Sequence, residues 1–377
     1  MAQLMTASIS SYPRRVGVVS SAQTPWRTAW SGAQHIDLIA SAVHHALEGS
    51  GLRIEDVDFV IDSGSDVLDG RSISNCGFLG AMGAHHKEES RVEDDGLWAA
   101  LYGATKIASG AANVGLIIAY AKPSEAEIDR FHSTIADPFC QRPVGLNDAT
   151  ANGLIAQQYL QLHRIGEEVM ARVAALAWLR AARGGKVDME AVPTAEQILA
   201  TPVASSPLRQ GMLARPVDGA VAVVLASESV ARRVSRRPVW ITGMGAATDS
   251  GNFARREPGL PACKAAADRA RARAGARANA AGIVEMSATS AATELVTLEA
   301  LGVVEAGAAA DLYLDEGERR INRSGGALPA YPVFATGLVR LAEATESLVA
   351  GEGNGQALVH ATSGLGAQSH CVFLIES

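Results

Sequence analysis

The sequence predicts an α/β fold made of two pseudo-symmetric halves with a segment inserted between them. Three observations predict it. An order of strand, polar loop, helix, glycine turn and strand occurs twice, its two occurrences are offset by a little over two hundred residues, and a proline-punctuated stretch interrupts the alternation.

In the first occurrence, the apolar run VGVV (Val16 to Val19) predicts a buried strand. Ile36, Ile39, Ala40, Val43 and Leu47 recur at three- and four-residue spacing and predict a helix from Ile36 to about Glu48. Gly49 and Gly51 can end it, and VDFVI (Val57 to Ile61) is the next strand. In the second occurrence PVWIT (Pro238 to Thr242) predicts a strand, Ala265 to Ala276 an Ala/Arg-rich helix and GIVEM (Gly282 to Met286) a strand. Each half is expected to hold a mainly parallel sheet covered by helices. Between them, Pro123, Pro138, Pro143, Pro193, Pro202 and Pro207 punctuate the chain, and the apolar stripe of EEVMARVAALAWLRAA predicts a helix from about Glu167 to Ala182. The stretch reads as a loop domain at about 122–215 lying over a site, because linkers are polar and low in complexity. The halves are thus 1–234, with the loop domain, and 235–377. Arg269, Arg271, Arg273 and Arg277 read as a solvated helix face.

The chain has 377 residues, of which 48% are hydrophobic and 19% charged, ample for a large core. A net charge of −7 weighs against nucleic acid and anionic membrane as partners. No apolar run approaches the roughly 20 residues that span a bilayer, and the start lacks a basic segment followed by an apolar one. Cys76, Cys140, Cys263 and Cys371 lie far apart, which fits a reduced cytoplasm and argues against a disulfide framework or a cysteine-only zinc site. No histidine and acidic cluster has the spacing of metal ligands, and GMGAATDSG lacks the glycine order of a dinucleotide loop, so neither a metal nor a bound cofactor is expected.

Three segments together resemble the thiolase superfamily over nearly the whole chain: RPVDGAVAVVLAS (Arg215 to Ser227), NRSGGALPAYPVFATG (Asn322 to Gly337) and EMSATSAATELVTLEALG (Glu285 to Gly302). The resemblance implies the five-layered αβαβα thiolase fold with an inserted loop domain, in a homodimer or larger assembly. SGSDVLDGRSIS (Ser63 to Ser74), VEDDGLWAALYG and the Tyr-Pro turn are similar to lipid-transfer-protein-like, sterol-carrier-protein-type homologues. Some of these are aldolases that work without a cysteine beside a small zinc-ribbon/OB-fold partner that binds the coenzyme A portion.

The departures from the thiolase pattern bear on chemistry. A thiolase needs an activated cysteine at a helix N-terminus, where the dipole favours thiolate. Gly96 stands at that position in RVEDDGLWAAL. Ser287 and Tyr331 match two thiolase histidines, and Thr362 or Ser363 matches the second cysteine. Cys371, inside CVFLI, reads as a buried core thiol. An acyl-cysteine route is therefore not expected.

Retro-aldol cleavage needs a base for the β-hydroxyl proton and stabilisation of the enolate. Tyr331 is the first choice for base or relay if its pKa falls, against the alternative that it only fills the space of the missing histidine. Of Glu93, Asp94 and Asp95, two read as helix caps, and Asp95, next to Gly96, is the one expected to face the pocket. Ser287 and His370 complete the catalytic candidates. Gly96, Asn322, Gly325, Gly326, Thr362, Ser363 and Gly364 are the substrate-binding candidates, the glycines for close approach and amide donation. His85 and His86 read as surface residues. Three functions stay open: an acyl-CoA carbon–carbon lyase or thiolase-like enzyme acting on a coenzyme A thioester, a non-catalytic scaffold subunit, and an acyl-CoA or lipid carrier. A polar pocket with shifted titratable groups favours the first, a filled pocket the second, and a dry apolar tunnel the third. The dimer is expected to form through an edge strand at LIIAY (Leu116 to Tyr120).

Overall fold

The computed structural model describes residues 14–70, 72–275, 281–314 and 320–377. Arg277, the end of the second-half helix at Ala276 and the first thirteen residues lie outside them.

The first half runs β1 (Val16–Gln23), α1 (His35–Ser50), β2 (Phe59–Ser63), α2 (Asp66–Asp69), β3 (Glu88–Val92), α3 (Gly96–Ala108) and β4 (Val114–Ala121). The interrupting segment carries α4 (Ile128–Thr134), α5 (Asp148–His163), α6 (Glu168–Gly184), α7 (Ala195–Leu199) and a small hairpin, β5 (Val203–Ser205) with β6 (Leu208–Arg209). Then follow β7 (Gly219–Ser227), α8 (Glu228–Val234), β8 (Val239–Thr248), α9 (Pro261–Ala274), β9 (Ile283–Met286), α10 (Ala291–Ala300), α11 (Thr336–Val349), β10 (Gln356–Ser363) and β11 (Ser369–Glu376). The expected strands and helices all form, shifted by a few residues at their ends. Gly51 closes α1 in the left-handed region (φ 67°), where a residue without Cβ is favoured.

Nine strands make one sheet in the order β3-β2-β4-β7-β1-β8-β11-β10-β9. The halves join where β1 meets β8, Val16 opposite Ile241 and Val18 opposite Val239. Helix α1 covers one face of the first-half strands, and α9 covers β8 and β11. Between them α3 and α11 pack on each other, α3 against β2 and β4, α11 against β9 and β10. The small residues Ala100, Ala104, Ala342 and Ala344, all buried there, let the two helices come close. Helix, sheet, helix, sheet, helix is the resulting layer order, which makes this the five-layered αβαβα thiolase fold. The two central helices begin at the same place, and that place is the site.

Two expectations need correction. The halves are mixed: parallel pairing is confined to β2 with β3 and β4, and to β9 with β10, while the pairs at the centre of the sheet are antiparallel. LIIAY is no edge strand either. It belongs to β4, which is buried along its whole length and bonded to β2 on one side and β7 on the other. Its continuous apolar run reflects burial on both faces; β3 and β9 are the ends of the sheet. Arg269, Arg271 and Arg273 reach from α9 to the carbonyls of Ala246, Leu301 and Met244, so the arginine face also ties the helix to its neighbours. Among the described residues no helix is long and apolar enough to cross a membrane.

Candidate active site

The Asp-Gly-Ala segment supports the site from behind. Asp218 is fully buried and accepts hydrogen bonds from the backbone of Trp30 (2.8 Å) and Ser124 (3.1 Å) and from the Ser124 hydroxyl (2.5 Å). That fixes the segment just before it, which grips the Tyr331 backbone: Tyr331 N donates to Arg215 O (2.8 Å) and Val217 N to Tyr331 O (3.2 Å). A residue from the second half is thereby pinned by the segment that leads into β7 of the first.

Beside it α3 and α11 begin. Asp95 is the N-cap of α3, its carboxylate accepting from Leu97 N at 2.9 Å. The same carboxylate accepts from Gly337 N, in the first turn of α11, at 2.9 and 3.0 Å. The loop before α11 returns the contact, because Phe334 O accepts from Gly96 N (2.8 Å) and from the Ser63 hydroxyl (3.2 Å). A Cβ placed on Gly96 would stand 2.7 Å from Leu338 Cβ, 3.1 Å from Ala119 Cβ and 3.2 Å from Ser63 Oγ. The position at which the thiolase pattern carries its cysteine thus has no room for a side chain as the helices are packed.

Tyr331, Asp94, Asp95, Thr362, Ser363 and Gly364 all line one cavity of about 310 Å³. Asp148 and His132, from the interrupting segment, line it too. Asp148 opens α5 immediately after its Asn147 cap, and its Oδ2 accepts from Asn152 Nδ2 at 3.1 Å. Glu93 is at the rim, where its carboxylate takes Asp66 N (2.8 Å). No lysine or arginine lines this cavity among the described residues.

An enclosed acidic pocket shifts its own groups. Burial pushes Asp95 up to about 7, with Asp94 adding to the rise and the amides of Gly337 and Leu97 opposing it. Asp94 is raised by burial as well, and Asp148 is raised by burial although His132 partly offsets the effect. The Tyr331 phenol is pushed above its ordinary value, first by enclosure and then by the charges of Asp148 and Asp95. This corrects the expectation of a phenol held ready to ionise: its neighbours are carboxylates, so the hydroxyl keeps its proton and can act as a donor.

Several expected site residues are elsewhere. Ser287 and Asn322 are fully buried outside the cavity lining, Asn322 Oδ1 accepting from Met286 N at 2.8 Å. Gly325 (φ 98°) presses against α6, where a Cβ would come 2.7 Å from Ala177 O. Gly326 (φ 68°) folds over Asn322, so this glycine pair shapes a turn behind the site. His370 is fully buried, and its Nε2 faces Ala367 O at 2.9 Å, behind the cavity wall. Burial holds its imidazole down, at about 4. Cys371 is buried, its thiol pushed up by burial and by the carboxylates of Asp95 and Asp94, which makes it a core thiol. His85 and His86 are exposed.

Asp148 and His132 were not found from the sequence. An N-cap followed by an acidic first turn (Asn147, Asp148) is a helix-start pattern, and nothing in it says that the helix begins over a pocket.

A larger and mainly apolar cavity of about 640 Å³ adjoins this one, lined by Leu154, Ile155, Phe253, Leu260 and Val296 among others. Gly366 lines the larger cavity and its neighbour Ala367 the smaller. The Phe253 ring lies against Gly366, where a Cβ would come 2.7 Å from the ring.

Residues 245–376 match the thiolase C-terminal domain-like family. By structure the chain is similar to the solved Ltp2-ChsH2(DUF35) aldolase, with a TM-score of 0.80, 22% identity, and 97% of this chain and 98% of that one covered. It is also similar to human mitochondrial 3-ketoacyl-CoA thiolase, with a TM-score of 0.73, 19% identity, and 97% and 100% covered. No curated protein matches it by sequence.

Proposed function

We propose that this thiolase-fold chain, whose residues 245–376 belong to the thiolase C-terminal domain-like family, makes or breaks a carbon–carbon bond in an acyl-CoA thioester without a cysteine nucleophile. The supporting observation is the cavity itself. It gathers four carboxyls and a phenol among apolar side chains, three of the carboxyls and the phenol have shifted proton affinities, and neither a cysteine nor room for one at residue 96 is found where α3 begins. A scaffold would have filled that space, and a carrier has no use for several carboxyls gathered around a phenol.

Retro-aldol cleavage of a β-hydroxyacyl thioester uses these groups well. Asp148, as carboxylate, takes the proton of the β-hydroxyl; the electrons of that O–H bond form the carbonyl as the Cα–Cβ bond breaks. The released pair moves into the enolate of the thioester, and Cα then takes up a proton. A carboxylate with raised proton affinity is the better base. The Tyr331 hydroxyl donates, first as a hydrogen bond to the developing enolate oxygen and then as a route for the proton to Cα. Thr362, Ser363 and Gly364 border the same space.

An acidic cavity with no lysine or arginine in its lining among the described residues repels the phosphates of coenzyme A. We infer that those phosphates are held outside it, by a small zinc-ribbon/OB-fold partner; the solved aldolase whose fold this chain shares pairs Ltp2 with ChsH2(DUF35). The apolar remainder of the acyl group fits the larger cavity beyond Phe253. The complex is proposed to be cytoplasmic and to contain a homodimer of this chain. The test follows β-hydroxyacyl-CoA cleavage by the chain with its partner. Formation of a ketone or aldehyde with a shortened acyl-CoA supports the reading. Transfer of a radiolabelled acyl group from acyl-CoA onto this chain would overturn it.

A further inference from the structure

Behind the wall of the acidic cavity the fold gathers three soft donors that the chemistry above does not use. Cys263 lies in the first turn of α9, His360 on β10 and His370 on β11. All three are fully buried, and one donor atom from each lies within 4.8 Å of the others. The sequence hides the group, because the cysteine stands about a hundred residues before the histidines.

The hydrogen bonding around the histidines is that of ligands held in place. His370 Nε2 is 2.9 Å from Ala367 O, a carbonyl that can only accept, so this nitrogen carries the proton and Nδ1 presents its lone pair. Metal-bound imidazoles are commonly fixed in this way, by a carbonyl on the outer nitrogen. His360 Nε2 is 3.0 Å from that lone pair. With hydrogen bonding alone, either His360 donates from Nε2 and its buried Nδ1 is left without a well-formed hydrogen bond, or Nδ1 keeps the proton towards the Ser287 backbone and two lone pairs face each other across 3.0 Å. An unsatisfied buried polar atom costs about 1–3 kcal/mol. A cation between the two rings removes the need for either arrangement.

We propose that Cys263 Sγ, His360 Nε2 and His370 Nδ1 form a buried binding site for a thiophilic d¹⁰ metal ion, monovalent copper or zinc. The donor set of one sulfur and two imidazoles selects soft and borderline cations over magnesium or calcium. Two neutral imidazoles and one thiolate carry a single negative charge, so monovalent copper gives a neutral centre, the arrangement best suited to a site without solvent. On binding, the S–H bond of Cys263 breaks, the sulfur pair goes to the metal, and one proton leaves to solvent. The site braces α9 against β10 and β11 and so stiffens the strand ends from which Thr362, Ser363 and Gly364 reach the cavity.

The test uses the full chain with Cys76→Ser and Cys140→Ser as reference, since both of those thiols are exposed and would bind copper themselves. After removal of metals with a chelator, copper(I) and zinc are each titrated against a competing chromophoric chelator. The expected result is one equivalent per chain for at least one of the two ions, release of one proton, and at least a hundredfold weaker binding after Cys263→Ala. X-ray absorption of the loaded reference should give one sulfur and two nitrogens, and which ion binds tighter distinguishes copper from zinc. Should Cys263→Ala fail to fold, the reference chain decides alone: its melting temperature must rise with metal, because an ion that binds only the native state stabilises it. Less than a tenth of an equivalent of either ion, binding undiminished in Cys263→Ala, or a melting temperature that falls with metal overturns the site.

Discussion

The Asp95 carboxylate holds the backbone N–H of Gly337 with both oxygens, at 2.9 and 3.0 Å, and in doing so joins the N-termini of two helices from opposite halves of the chain. Gly337 has no alternative, because a Cβ there would run into Asp95 Oδ1 and Ala361. The two residues are 242 positions apart and fix where α3 and α11 start, hence where the walls of the acidic cavity stand. Gly337→Ala should cost about 1–3 kcal/mol in urea unfolding, through overpacking and the lost cap. A change below about 0.5 kcal/mol would mean that the junction is soft.

Asp95 also gives stability a pH dependence with a definite sign. Burial raises its native-state pKa to about 7, while in the unfolded chain it titrates near 4. The native state therefore holds the proton more tightly, and the stability this confers is complete below pH 4 and is lost as pH rises towards 7. The upper bound is ~4 kcal/mol. Asp95→Asn removes the titration, so the stability of wild type relative to this variant should fall by roughly 2–4 kcal/mol between pH 4 and pH 7.5. Asp62, also raised to about 7, is present in both proteins and cancels in the difference. Denaturant titrations at four pH values measure it, and a constant difference refutes the assignment.

Much of this junction was legible in the sequence, and the reason is local. Asp95 before a helix next to Gly96, the Asp-Gly-Ala strand and the Asn-x-x-Gly-Gly turn each carry a backbone demand that a short segment expresses by itself. What sequence alone could not supply was direction. Gly325 and Gly326 satisfy a turn under α6, and only the packing of Ala177 and Ala181 tells that this turn faces away from the cavity. Asp148 and His132 lie in the interrupting segment, whose placement over the site depends on contacts far apart in the chain. LIIAY reads as an edge in sequence because continuous burial and an uncovered apolar edge look alike without the neighbouring strands.

Gly96→Cys tests whether a thiolase can be restored by one substitution. The new side chain must enter a space already 2.7 Å from Leu338 Cβ, so overpacking of about 1–3 kcal/mol is expected in a thermal melt. The variant should take up no acyl label from acetyl-CoA. Stoichiometric labelling of residue 96 would show that the helices part easily and that glycine is there for another reason.

Phe253 lines the apolar cavity and rests on Gly366, whose neighbour Ala367 lines the acidic one. Phe253→Ala should widen the apolar cavity beside Gly366 and raise kcat/KM for long or ring-bearing β-hydroxyacyl groups over short ones, by about tenfold for a gain near 1.4 kcal/mol. Competition between a short and a long substrate in one reaction reads the ratio directly. An unchanged ratio would remove the apolar cavity from the substrate path.

Tyr331 and Asp148 divide the proton work, and two conservative substitutions separate them. Tyr331→Phe keeps the ring and removes only the hydroxyl; Asp148→Asn keeps the shape and removes the basic oxygen. Each should lower kcat by roughly a hundredfold or more, equivalent to about 2.7 kcal/mol. Stability should move by only about 1 kcal/mol, because Phe keeps the ring packing and Asn keeps an oxygen that can accept from Asn152. The pH profiles tell the roles apart. Enclosure and the charges of Asp148 and Asp95 keep the phenol protonated, so wild type should show no loss of rate on the alkaline side that Tyr331→Phe abolishes. The acid limb reports the carboxylate that must be ionised, and it should vanish in Asp148→Asn while persisting in Tyr331→Phe. If the acid limb survives in Asp148→Asn at a residual rate, the base is another carboxyl of the cavity, and Asp95, with its native value near 7, is the first to test.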